Sequence, residues 1–247
     1  MEEDIKMTSN PMVRNPQVKE IILDSAPMTI SGAIGKTFIL LGIVLICGAL
    51  SWNMCAQGYS DRANLLMIAS AIGGFILAMI AFFKPKTSPI TAPAYAICEG
   101  ALVGIVSYMY NSLYNGIVVN ALLITLLALF SMLLLYRTRV IQATENFRKV
   151  IITSTCAIAI FYFVGFIAGL LGHPMTIFNG GLYGIIITAV ICVIAALNFI
   201  LDFDFVERGN NMLPDYFEWY SGLSLLVTVV WLYFEILRLL AQLNRRN

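Results

Sequence analysis

The chain has 247 residues, 60% of them hydrophobic and 12% charged, with a formal net charge of +1. A soluble domain carries about 25% charged residues, and a nucleic-acid binder shows a basic patch or stripe. The composition therefore argues against a soluble domain and leaves a nucleic-acid partner without support.

Residues 1–33 are polar and mixed in charge, with Pro11, Pro16 and Pro27. They lack the short apolar core of a cleavable signal and read as a mobile cytoplasmic tail. From there to residue 243 the apolar residues come in long blocks, the pattern of membrane crossing. A span needs roughly 20 apolar residues to cross a hydrocarbon core of about 30 Å. Seven blocks qualify: 37–56, 64–83, 92–110, 116–136, 150–171, 181–205 and 216–240. In lipid every backbone polar group must be satisfied within the protein, so these blocks are helices. The expected fold is all-α, a seven-transmembrane-helix bundle over 34–243.

The linkers are short and rich in turn residues: Lys84-Pro85-Lys86, Asn115-Gly116, Gly172-His173-Pro174 and Asn179-Gly180-Gly181. Lys6, Arg14, Lys19, Lys36, Lys84, Lys86, Arg137, Arg139, Arg148, Lys149 and Arg208 fall on one side. Arg62, Arg238, Arg245 and Arg246 fall on the other. The excess of positive charge places the N-terminus in the cytoplasm. Seven spans then put the basic C-terminus outside, against the same rule; one re-entrant span would return it to the cytoplasm. Gly100 with Gly104, and Gly165 with Gly169, have the small-residue spacing that lets helices approach closely. The five cysteines form no CxxC pair and read as small buried hydrophobes.

Ionisable residues inside apolar blocks carry the functional signal. A charge near the bilayer centre costs at least about 2.5–3.5 kcal/mol and persists only if paired, protonated or wetted. Four acids qualify, Glu99, Asp202, Asp204 and Glu235, against one base, Arg238. Glu99 reads either as a protonated residue bonded to a neighbouring helix or as the wall of an ion path. Asp202 and Asp204 are two apart and point in different directions; Asp204 lies nearer the cytoplasmic surface, where water reaches it. Glu235 and Arg238 are three apart and can pair along one helix face. Alternatively Glu235 exchanges Arg238 for another carboxyl. Two close carboxyls share a proton in acid and repel in base, and an open ionised pair offers hard oxygen ligands to Ca²⁺. The excess of acids leans towards protons or cations as the species handled. No HExxH or GxSxG occurs, and the single histidine, His173, reads as a turn residue. No enzyme is expected, and no cofactor.

Ala92-Pro93-Ala94-Tyr95-Ala96-Ile97-Cys98-Glu99-Gly100 is similar to the third-span motif of the Bax inhibitor-1 family, bacterial branch. Leu201-Asp202-Phe203-Asp204-Phe205-Val206-Glu207 resembles the end of that branch's sixth span. Glu218-Trp219-Tyr220, with the run Trp231 to Leu240, resembles its last helix. The resemblance implies a bundle with the last helix central, in the inner (plasma) membrane. It also implies a pH-sensitive Ca²⁺ leak gated by two aspartates, one on each of the last two helices. Asp202 matches the first and is expected to bind the ion. Glu235 matches the second, with glutamate replacing aspartate. Arg238 replaces a neutral residue and would hold Glu235 ionised. Glu235 lies sixteen residues, about 24 Å, beyond Trp219 along the last helix. Contact with Asp202 then requires that helix to start outside the membrane or to tilt. Otherwise Asp202 finds Glu99 or a closer residue, and Glu235 pairs with Arg238 alone. The expected partners are lipid, Ca²⁺ and protons. The competing expectations are a regulator of a membrane-bound quality-control protease, acting through the N-terminal tail or a lipid-facing surface, and a proton-coupled transporter. No internal repeat supports the transporter.

Overall fold

The computed structural model describes residues 26–172 and 181–245. Seven helices follow one another: α1 Ile30–Ala56, α2 Ser60–Phe83, α3 Ser88–Leu113, α4 Ile117–Arg137, α5 Glu145–Leu170, α6 Leu182–Gly209 and α7 Tyr216–Asn244. Each is long and apolar enough to cross a membrane. A single 3-10 turn, Pro85–Thr87, joins α2 to α3. No re-entrant segment occurs among the described residues, so the start of α1 and the end of α7 lie at opposite ends of the bundle. The basic residues of the α2–α3 and α4–α5 linkers share the end at which α1 begins.

The helices extend past the apolar blocks because capping and turn chemistry set their ends. Thr29 is the N-cap of α1 and accepts from the Gly32 N–H at 3.0 Å. Thr144 caps α5 in the same way through Phe147. Gly116 precedes α4 at φ 78°, a left-handed conformation that glycine adopts without a Cβ penalty. The start of α1 lies seven residues before the first apolar block, because the segment before it is held. Met28 exchanges backbone hydrogen bonds with Asn211 and Leu213 in the α6–α7 turn, and its side chain is fully buried. The Thr29 N–H and hydroxyl both donate to Glu218 Oε1, at 3.0 and 2.8 Å. The part of the expected tail before residue 26, and His173, lie outside the described residues.

Helix α7 is central, packing on α6, α1, α3 and α4. Leu226, Leu232 and Leu237 are fully enclosed. Helix α2 lies on α3, and α5 packs closely only on α6, so the wrapping around α7 is closer on four sides than on the other two. The approach of α1 to α3 uses the expected small residues. A Cβ on Gly100 would stand 2.8 Å from the Val44 carbonyl oxygen, and one on Gly104 would collide with Gly48 and Ser51. Gly169, by contrast, faces open space. The described cysteines are unpaired thiols, four of them half-buried and Cys156 exposed.

Replacing Gly104 by leucine forces α1 off α3. It should lower the thermal unfolding temperature in detergent, at a cost of about 1–3 kcal/mol or more. Gly169→Leu should leave that temperature within the equivalent of about 1 kcal/mol of wild type.

Candidate functional site

Asp202 is buried near the end of α6 that leads into the six-residue turn to α7. Its Oδ1 accepts from the Ser224 hydroxyl at 2.5 Å and its Oδ2 from the Thr228 hydroxyl at 2.6 Å. Both hydroxyls stand on α7, four residues apart on one face. The carboxyl therefore bridges two antiparallel helices through both of its oxygens. Thr228 Oγ1 also lies 3.2 Å from the Ser224 carbonyl oxygen, one turn back. Tyr220, a turn before Ser224, is the titratable neighbour on α7.

Glu235 lies seven residues beyond Thr228, two turns and about 10 Å along α7. It is only 2% exposed. Its Oε1 accepts from the Tyr162 hydroxyl of α5 at 2.7 Å and from the Trp231 indole N–H at 3.3 Å. Its Oε2 accepts from Arg238 Nη1 at 3.3 Å. The same guanidinium donates to the Tyr162 oxygen at 2.8 Å and lies over that ring at 5.1 Å. Glu235, Arg238 and Tyr162 thus form a closed triangle in which every charge has an opposite or a donor.

The expected contact between Asp202 and Glu235 is not formed. The register of the α6–α7 hairpin sets Ser224 and Thr228 against Asp202, and Glu235 falls two turns past them. The position on the last helix that faces Asp202 carries a hydroxyl, not a carboxyl. The two acids accordingly offer no shared proton and no shared Ca²⁺ site. Among the described residues no three His, Cys, Asp or Glu side chains converge as metal ligands.

Asp204 is buried rather than solvated. It pairs with Arg148 of α5 and with Arg208, whose Nε lies 2.9 Å from Oδ2. Glu207 accepts from Tyr136 and pairs with Arg139 at 3.4 Å. Asp204, Arg208, Glu207, Tyr136 and Arg139 line a cavity of about 310 Å³ between the α4–α5 linker and the end of α6. Glu99 stands apart from the other acids. It is half-buried beside Tyr95 and turned to α2, so that a Cβ on Gly74 would sit 3.6 Å from its Oε2.

A family model described as Bax inhibitor 1 like matches residues 5–245, nearly the whole chain. The chain belongs to the Bax inhibitor 1-like family. No curated protein and no solved structure matches it. Within this member, Ser224, Thr228, Tyr162, Trp231 and Arg148 are the site residues that the search for intramembrane charges passes over. Three of the five are neutral hydroxyl side chains, and Arg148 lies outside the apolar blocks. The four-residue spacing of Ser224 and Thr228 was the available signal.

Thr228→Val leaves one Asp202 oxygen without its donor and should destabilise the bundle by about 1–3 kcal/mol in a denaturation series. Arg238→Met strands a buried Glu235 charge and should cost about 3–5 kcal/mol. The double variant Glu235→Gln with Arg238→Met should recover much of that loss, and a double-mutant cycle reads the coupling.

Proposed function

We propose that this chain is a cation leak of the Bax inhibitor-1 type that passes Ca²⁺ across the cell's inner (plasma) membrane, with Asp202 as its gate. It works without catalysing a reaction and without a bound cofactor, and its basic end faces the cytoplasm. The observation that carries this reading is the contrast between the buried acids. Asp204 and Glu235 each pair with arginine, so their charge is cancelled. Asp202 is held by two neutral hydroxyls and keeps its charge when ionised. A buried carboxylate without a guanidinium attracts cations, and hard oxygen ligands suit Ca²⁺.

The same geometry supports one direction for the pH response. An ionised Asp202 accepts from both hydroxyls, and such charge-assisted bonds are the stronger kind. They hold α6 to α7. A proton on either oxygen turns an acceptor into a donor and weakens one bridge. Acid therefore loosens this gate, whereas a two-carboxylate gate is bridged by acid. Arg238 keeps Glu235 out of the switch.

Ca²⁺ entry into proteoliposomes across a pH series tests the reading. Wild-type flux should rise as pH falls. Asp202→Asn, whose amide has one acceptor oxygen, should give raised flux without pH dependence. Glu235→Gln should keep the dependence. Flux no greater than in empty liposomes at any pH, from folded protein, would refute the leak and favour a regulator of a membrane-bound protease.

A further inference from the structure

Helix α5 is attached to the bundle in an unusual way. Only 6% of its most apolar stretch is buried, against 56% for α7. Among its described residues only Ile151 is buried. What holds it is a row of polar side chains at seven-residue intervals: Arg148, Thr155 and Tyr162. Two turns of helix separate each from the next, so all three share one face. Together they cover about 21 Å along the helix, most of a hydrocarbon core.

Each meets a polar partner on the facing helices. Arg148 pairs with Asp204, which also holds Arg208. The Asn198 amide of α6 donates to Thr155 Oγ1 at 3.0 Å. Tyr162 joins Glu235 and Arg238. The seam thus has opposite charges at both ends and a neutral polar pair between. Its first level opens into the 310 Å³ cavity beside Arg139 and Glu207. Its flank faces lipid, because α5 is peripheral. The arginine side chains at its two ends, Arg148 and Arg238, are 35% and 32% exposed.

We propose that the seam between α5 and the α6–α7 hairpin is a crossing route for zwitterionic phospholipid headgroups. A headgroup with a phosphate and an ammonium carries the same two charges as the protein's own guanidinium–carboxylate pairs. When α5 swings out, arginine exchanges its carboxylate for phosphate, and the carboxylate takes the ammonium. Each broken ion pair is replaced by two of like kind, so opening costs far less than exposing lone charges to hydrocarbon. Thr155 and Asn198 supply hydroxyl and amide groups at mid-membrane, where a bare headgroup is least stable. The acyl chains remain in the bilayer, which a peripheral helix permits and a central pore does not. The route does not use the Asp202 contact: Asp202 lies one turn past Asn198 on α6, but both of its oxygens are bonded to α7.

The test uses vesicles of phosphatidylcholine and phosphatidylglycerol carrying a trace of phosphatidylcholine labelled on an acyl chain with a dithionite-sensitive fluorophore. In protein-free vesicles the quencher bleaches the outer leaflet alone. With the full chain reconstituted, label from both leaflets should be lost. A variant with Thr155→Cys and Asn198→Cys, its five native cysteines replaced by alanine, allows the seam to be locked. Oxidation should return it to outer-leaflet loss, and reductant should restore crossing, which controls for folding, at a rate below wild type because two thiols stand where the hydroxyl and amide were. Bleaching confined to the outer leaflet with the native chain would overturn the proposal. So would full crossing by the oxidised variant once mass spectrometry shows the disulfide formed.

Discussion

The whole arrangement depends on one constraint: inside a bilayer no charge and no backbone polar group can be left without a partner. Helix α7 carries a heavy polar load, with Ser224, Thr228, Tyr233, Glu235 and Arg238 within its apolar length. Tyr233 already takes a partner on α3, with its hydroxyl 2.6 Å from Ser107 Oγ. Lipid could meet none of these needs, so α7 belongs in the middle, where α3, α5 and α6 each present a polar group to it. The centrality of the last helix is therefore a consequence of its side chains. The peripheral helices show the converse. Helix α2 carries apolar side chains such as Leu65, Ile68, Ile72 and Phe75 outward, and all of these are exposed to the surroundings of the bundle.

Most of the fold is legible in the sequence, because apolar blocks of span length have no other stable form. Helix ends are less so. Ile30 to Lys36 sit ahead of the strongest hydrophobic signal, yet they are helical because Thr29 caps them and Glu218 anchors the cap from nearly two hundred residues away. No local pattern records that contact. The mobile character expected of residues up to 33 fails for Met28 for the same reason: its burial is provided by the α6–α7 turn.

The pairing of the acids is only partly legible in the sequence, for a definable reason. Spacing along one helix suggests Glu235 with Arg238, and the structure agrees. Spacing between helices needs a register, and the short turn supplies it. Asp202 lies seven residues before the end of α6, and seven residues into α7 is Leu223, next to Ser224. Glu235 belongs twelve residues deeper. Matching an acid in one protein to an acid in another by resemblance of the surrounding run passes over that arithmetic. What the sequence could not yield is Tyr162, because a peripheral helix has freedom of rotation and height that only packing removes.

Glu235 and Arg238 make sense only together. A lone glutamate on α7 would be a stranded charge, and a lone arginine equally so. As a pair closed by Tyr162 they carry no net charge into the membrane and tie the outermost helix to the innermost. On the proposed reading, the acid on the last helix is a fixture of assembly rather than half of a gate. The site opposite Asp202 is left to a hydroxyl, which can donate to a carboxylate but cannot repel it. Two carboxyls push helices apart when ionised; a carboxyl facing Ser224 and Thr228 draws them together in the same state. On the proposed reading, the hydroxyls at positions 224 and 228 make the ionised state the one that closes the α6–α7 hairpin, while the seven-helix frame around it stays the same.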